Sequence, residues 1–113
     1  MLERDEGTVR ITGIGPLSGK VGIPGDKSIS HRGLLLGALA EGETRIRNLA
    51  PGDDVRSTMS CLRQLGVDVP KEGEVIVVKG KGPDGLEQPE EPLDAGNSGT
   101  LTRLITGILA TRS

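Results

Sequence analysis

Apolar and polar residues alternate over residues 9–14, and a second short run at 19–23 has the same character, with Gly15-Pro16 between them. After a frayed start, both runs read as strands, because alternation lays one face of a pleated chain on a core and Gly-Pro marks the break. Pro24-Gly25 ends the second run, and the period then changes. Leu34, Leu35, Leu36, Ala38 and Leu39 crowd a segment, 28–40, that reads as a helix stopped by Glu41-Gly42. This run is too wide for a surface stripe, so cover on more than one side is expected. Residues 44–49, apolar only at Ile46 and Leu49, read as an imperfect strand. Val55, Met59, Leu62 and Leu65 recur at helical spacing, predicting a helix capped by Asp53 and ended by a left-handed Gly66. Residues 67–69 and 74–79 read as a hairpin, 80–92 as a loop, and Leu101, Leu104, Ile105, Ile108 and Leu109 as the stripe of a last helix. Alternating strands and helices imply an α/β fold with some parallel pairs, right-handed crossovers and helix N-termini gathered at one sheet edge.

Composition narrows this picture. Among 113 residues there is no Phe, Tyr or Trp, so Leu, Ile, Val, Met and Ala must form the core, and eighteen glycines raise the entropy lost on folding. A marginally stable unit, or part of a larger one, is expected. A net charge of −2 and the lack of aromatics argue against nucleic-acid binding. One cysteine excludes an internal disulfide framework. The charged stretch Met1-Leu2-Glu3-Arg4-Asp5-Glu6 lacks the apolar core of a signal peptide, and no apolar run approaches membrane-spanning length. The expectation is a cytoplasmic protein with neither membrane nor nucleic-acid partners.

The candidate chemistry lies in two turns. Gly25-Asp26-Lys27-Ser28-Ile29-Ser30-His31-Arg32 opens the first helix, where unpaired N–H groups and the dipole already make a positive end. Lys27 and Arg32 crowd that end, with Ser28 and Arg32 on one face, so a phosphate-like anion suits it. The plainer alternative is that Asp26 or Ser28 caps the helix while both cations point to water. A P-loop is excluded: Asp26 separates Gly25 from Lys27, and Lys20 stands five residues before Gly25 where a glycine is required. Gly96-Asn97-Ser98-Gly99-Thr100 repeats the logic at the last helix, with Arg103 one turn in. Read structurally, it is a well-capped helix after a glycine turn. Asp53 and Asp54 read as dipole partners in a first helical turn, Cys61 as a small packed side chain with an ordinary thiol, and His31 as a surface residue.

At these stretches the sequence resembles the 5-enolpyruvylshikimate-3-phosphate synthase family. The matching residues are Pro24 to Arg32, Asp94-Ala95-Gly96-Asn97-Ser98-Gly99-Thr100 with Arg103, and, between them, Gly52-Asp53-Asp54-Val55 with the helix to Leu65-Gly66-Val67. The resemblance implies an inside-out α/β barrel type of fold, two domains of βαβαββ units around a cleft. Residues 1–20 would be leading strands, 21–95 one unit and 96–113 the start of the next. It also implies transfer of the enolpyruvyl group of phosphoenolpyruvate to the 5-hydroxyl of shikimate 3-phosphate, with no metal or organic cofactor. Lys27 would bind phosphoenolpyruvate near the reacting hydroxyl, Ser28 and Arg32 shikimate 3-phosphate, and Asn97 and Gly99 would line the phosphoenolpyruvate side, where glyphosate binds. The sister family acting on a UDP-sugar would show Lys-Asn in place of Lys27-Ser28 and lacks the Gly-Asn-Ser-Gly-Thr turn. The family's further arginines and its acidic catalytic residue would lie beyond Ser113. The resemblance therefore implies an N-terminal portion that needs the C-terminal remainder and has no turnover alone. A remnant anion-binding module without catalysis is the non-enzyme alternative.

Overall fold

The computed structural model describes residues 2–111. In chain order its elements are β1 (Leu2–Asp5), β2 (Thr8–Ile11), α1 (Lys27–Leu39), β3 (Glu41–Arg47), α2 (Asp53–Gln64), β4 (Val75–Lys81) and α3 (Gly99–Leu109). The start expected to be frayed is a hairpin over the described residues: β1 and β2 pair antiparallel from Leu2↔Ile11 to Asp5↔Thr8. Gly7, at φ +67°, supplies the left-handed residue that a two-residue turn requires. The strand expected over 9–14 stops at Ile11, and the one expected over 19–23 does not form. A strand exists only where a ladder partner accepts its backbone; here residues 12–24 are exposed, Leu17 at 82% and Val21 at 86%.

β3 and β4 form a second antiparallel sheet, from Glu41↔Lys81 to Arg47↔Val75. The expected parallel pairing is corrected by the path between them. β3 follows α1 directly and runs back towards that helix's start, where α2 begins. The segment after Gly66 then returns along the unit, so β4 enters beside the end of β3. Val67 and Val69 are buried in this return, and the hairpin expected there survives as one bridge, Asp68↔Lys79. β3 lies three residues earlier at its start than the expected 44–49 and ends before Asn48, whose φ of +56° breaks the extended run.

Leu34, Leu35 and Ala38 of α1, Val55, Met59 and Leu62 of α2, and Ile76 and Val78 of β4 make the main core. Each fully buried leucine contributes about 1.5–3 kcal/mol, which is how a core without aromatic rings holds. A second cluster, Cys61, Leu65, Leu101 and Ile105, fixes α3 to α2. Leu36 is 68% exposed, so the apolar run of α1 is not covered on that side. α2 is capped by Gly52 instead of Asp53; the Asp53 carboxylate pairs with Arg56 at 3.3 Å. Gly66 ends α2 as expected, at φ +87°, with Val67 N donating to Leu62 O over 3.0 Å.

Candidate functional site

The first turn is built from its backbone outward. Asp26 caps α1, its carboxylate accepting from Ile29 N at 2.8 Å. Ser30 Oγ donates to Asp26 O at 2.7 Å and accepts from Ala50 N at 2.9 Å, and Asn48 Nδ2 donates to Ile23 O at 3.3 Å. Gly25 packs so closely that an added Cβ would collide with the Asn48 carbonyl. The loop at 48–50 therefore seats the turn, using residues that carried no chemical signal of their own.

Lys27 Nζ lies 2.9 Å from Asp54 Oδ2, with side chains 58% and 27% exposed. Lys27, expected to meet a bound anion or water, has an internal partner from α2. An exposed pair of this kind is worth about 0–1 kcal/mol, so an incoming anion can compete for Lys27. Ser28 is half-buried and Arg32 exposed, and Arg32 has no ion pair among the described residues. The need of Lys27 for a carboxylate was the signal that could have found Asp54.

His31, expected at the surface, is fully buried, because α2 lies across that face of α1. Its Nδ1 is 2.6 Å from Thr58 Oγ1, and Nε2 has no partner. Burial lowers its pKa below the ordinary 6.5; Asp54 pulls it back up and Lys27 adds to the lowering.

The second turn is equally built. Asp94 Oδ1 accepts from Gly96 N at 2.8 Å, Gly96 stands at φ +59°, and buried Ser98 caps α3 by accepting from Leu101 N at 3.1 Å. Asn97 and Gly99 are exposed. At Gly96 an added Cβ would come within 2.8 Å of Ser57 Oγ, and Cys61 Sγ donates to Asp94 O at 3.4 Å. Cys61 is packed as expected, but its thiol is not ordinary: burial first, and Asp94 second, push its pKa up.

These contacts share one helix. Asp54 and Thr58 of α2 bond to Lys27 and His31 of the lysine turn; Cys61 bonds to Asp94 at the start of the Asn-Ser-Gly turn, and Ser57 lies close beside Gly96. Positions 54, 57, 58 and 61 form a single stripe at helical spacing, so both turns are seated on α2. A cavity of about 510 Å³ lined by Asn48, Gly52, Arg56, Lys71 and Glu74 includes none of Lys27, Ser28, Arg32, Asn97 and Gly99.

Residues 11–113 match the sequence model of EPSP synthase (3-phosphoshikimate 1-carboxyvinyltransferase). The chain belongs to the EPSP synthase family. A 3-phosphoshikimate 1-carboxyvinyltransferase of Geobacillus kaustophilus is 54% identical over 99 residues, which are 88% of this chain and 23% of the relative. That of Shouchella clausii is 52% identical over 96 residues, 85% of this chain and 22% of the relative. The solved EPSP synthase from Acinetobacter baumannii superimposes with a TM-score of 0.79 at 38% identity, covering 84% of this chain and 22% of that one. The mixed α/β fold thus resembles the N-terminal region of EPSP synthase, and the chain spans between a fifth and a quarter of the length of these family members.

Proposed function

We propose that the chain is the part of an enolpyruvyl transferase that carries the enolpyruvyl group of phosphoenolpyruvate to the 5-hydroxyl of shikimate 3-phosphate, in aromatic amino-acid biosynthesis in the cytoplasm. The observation that carries this reading is the common seat of the two turns on α2, joined to family membership. Lys27 binds phosphoenolpyruvate beside the reacting hydroxyl, Ser28 and Arg32 bind shikimate 3-phosphate, and Asn97 and Gly99 line the phosphoenolpyruvate side. Both substrates are anions, and negative charge moves as the hydroxyl adds and phosphate leaves. A cation held in place before the reaction stabilises that moving charge without reorganising. Lys27 is such a cation: Asp54 keeps it at the mouth of α1 until an anion replaces the carboxylate.

The chain supplies the leading strands, the α1–β3–α2–β4 part of one βαβαββ unit and the start of the next in an inside-out α/β barrel, with the rest of the cleft supplied by the C-terminal remainder. The test joins this chain in frame to the remainder of the Geobacillus kaustophilus relative and assays phosphate release. Turnover by the joined enzyme, none by the chain alone, and a drop of at least a hundredfold in Lys27→Ala are expected. Robust turnover by the chain alone, or an active Lys27→Ala enzyme, contradicts the reading.

A further inference from the structure

We propose that His31 and Thr58 form a neutral, buried pair that positions the first turn of α1, and with it Lys27, Ser28 and Arg32, on α2. The inference rests on the transfer reading above and makes His31 a positioning residue for it. Two side-chain links join the helices near their N-termini. Lys27–Asp54 spans 2.9 Å, and His31–Thr58 spans 2.6 Å. From the first link to the second, each helix advances by four residues, so the links are successive rungs between helices running in the same direction. They are chemically unequal. The outer rung is solvent-exposed and built from flexible side chains, so it cannot by itself set where α1 lies along α2. At the inner rung both residues are 0% exposed, one rung partner is a stiff β-branched side chain and the other a planar ring, and water cannot replace either bond partner.

The ring must be neutral to do this. The Nδ1–H tautomer donates to Thr58 Oγ1 and leaves no proton on Nε2, whereas the imidazolium carries a second N–H at Nε2, where there is no acceptor among the described residues. Ser30, the neighbour of His31, secures the same turn to Ala50 from the other side. Arg32 follows immediately, and Lys27 lies one turn back on the His31 face. A shift of α1 by a fraction of a turn therefore moves every proposed ligand group of the first motif together.

Thr58→Val removes the hydroxyl at nearly constant volume. In this chain the amides of residues 29–33 are expected to exchange hydrogen at least tenfold faster, with those of β3, β4 and residues 34–39 unchanged, and Thr58→Ser restores protection. In the joined enzyme Thr58→Val lowers kcat/KM about tenfold and Thr58→Ser recovers it. Should Thr58→Val not fold, the unsubstituted chain decides: nitrogen NMR at pH 7.5 is expected to show one protected imidazole N–H on His31. Unchanged exchange in residues 29–33, an imidazole freely exchanging with solvent, or full kcat/KM in Thr58→Val each overturns the proposal. A joined enzyme that is inactive without substitution refutes the transfer reading, and the exchange result still decides the pair.

Discussion

Gly25 stands where the chain passes under the carbonyl of Asn48, and it is closeness, not a left-handed backbone, that demands glycine there. Gly25→Ala must push the lysine turn off the 48–50 loop. Forced overpacking of this kind costs about 1–3 kcal/mol, so the melting temperature should fall by roughly 4–24 °C at about 4–8 °C per kcal/mol. Calorimetry on the two proteins checks this. Gly99 is the control: an added Cβ meets only Arg103 Nη1, at 3.6 Å. Gly99→Ala should leave the melting temperature within about 2 °C and, in the joined enzyme, reduce inhibition by glyphosate, because the methyl group enters the proposed ligand space. Unchanged inhibition means Gly99 is not at that site. The contrast also marks what single residues reveal in sequence. Both glycines sat in legible motifs, but their different roles depend on neighbours from distant parts of the chain, Asn48 for one and solvent for the other. His31 was misread for the same reason, since nothing in Ser30-His31-Arg32 announces that α2 covers the middle residue.

At the scale of elements, helices were readable throughout, whereas strands were readable only in part. The expected 9–14, 44–49 and 74–79 overlap β2, β3 and β4, but their pairing was not legible. Periodicity and caps are local, so α1, α2 and α3 lie within a few residues of expectation, and Gly66 and Ser98 mark ends that the sequence already contained. A strand is decided by its partner. Residues 19–23 look like a strand and find none, β1 looks like a frayed tail and pairs, and β4 turns from the neighbour expected at 67–69 to β3. The contact between α1 and α2 has a measurable acid sensitivity. His31 is the chain's one histidine, and its pKa is lowered in the fold chiefly by burial, with Lys27 of α1 reinforcing and Asp54 of α2 opposing. Above the ordinary value of 6.5 the ring is neutral whether folded or unfolded. Below it the unfolded chain takes up the proton first, so stability falls with pH until the folded pKa is passed. The slope below 6.5 should be positive and smaller than about 1.4 kcal/mol per pH unit, the limit for one proton. Urea titrations between pH 8 and 5 measure it. His31→Leu should flatten the slope in that window even though its stability at pH 8 is lower; a slope retained by that variant assigns the effect to carboxylates.

The whole molecule is extended, 59 × 29 × 21 Å with a radius of gyration of 18.6 Å, against about 13 Å for a compact chain of this length. The excess has a definite source. Residues 2–24 are exposed throughout, and the β1–β2 hairpin touches no other element, so they form an arm beside the unit built of α1, α2, α3, β3 and β4. A two-stranded hairpin with no sheet or helix behind it is marginal in water, and the arm's Ile11, Ile14, Leu17, Val21 and Ile23 are all exposed. Burial that has not happened cannot stabilise, so the arm should contribute almost nothing to the cooperative transition. Removing residues 1–22, which spares the Ile23 carbonyl held by Asn48, should shift the melting temperature by less than about 3 °C, under 1 kcal/mol for a unit of this size. Exposed apolar side chains on an open strand edge do promote association between chains. The shortened chain should therefore elute closer to its monomer volume than the full chain at the same concentration. A drop of more than about 3 °C would mean that the arm packs against the unit.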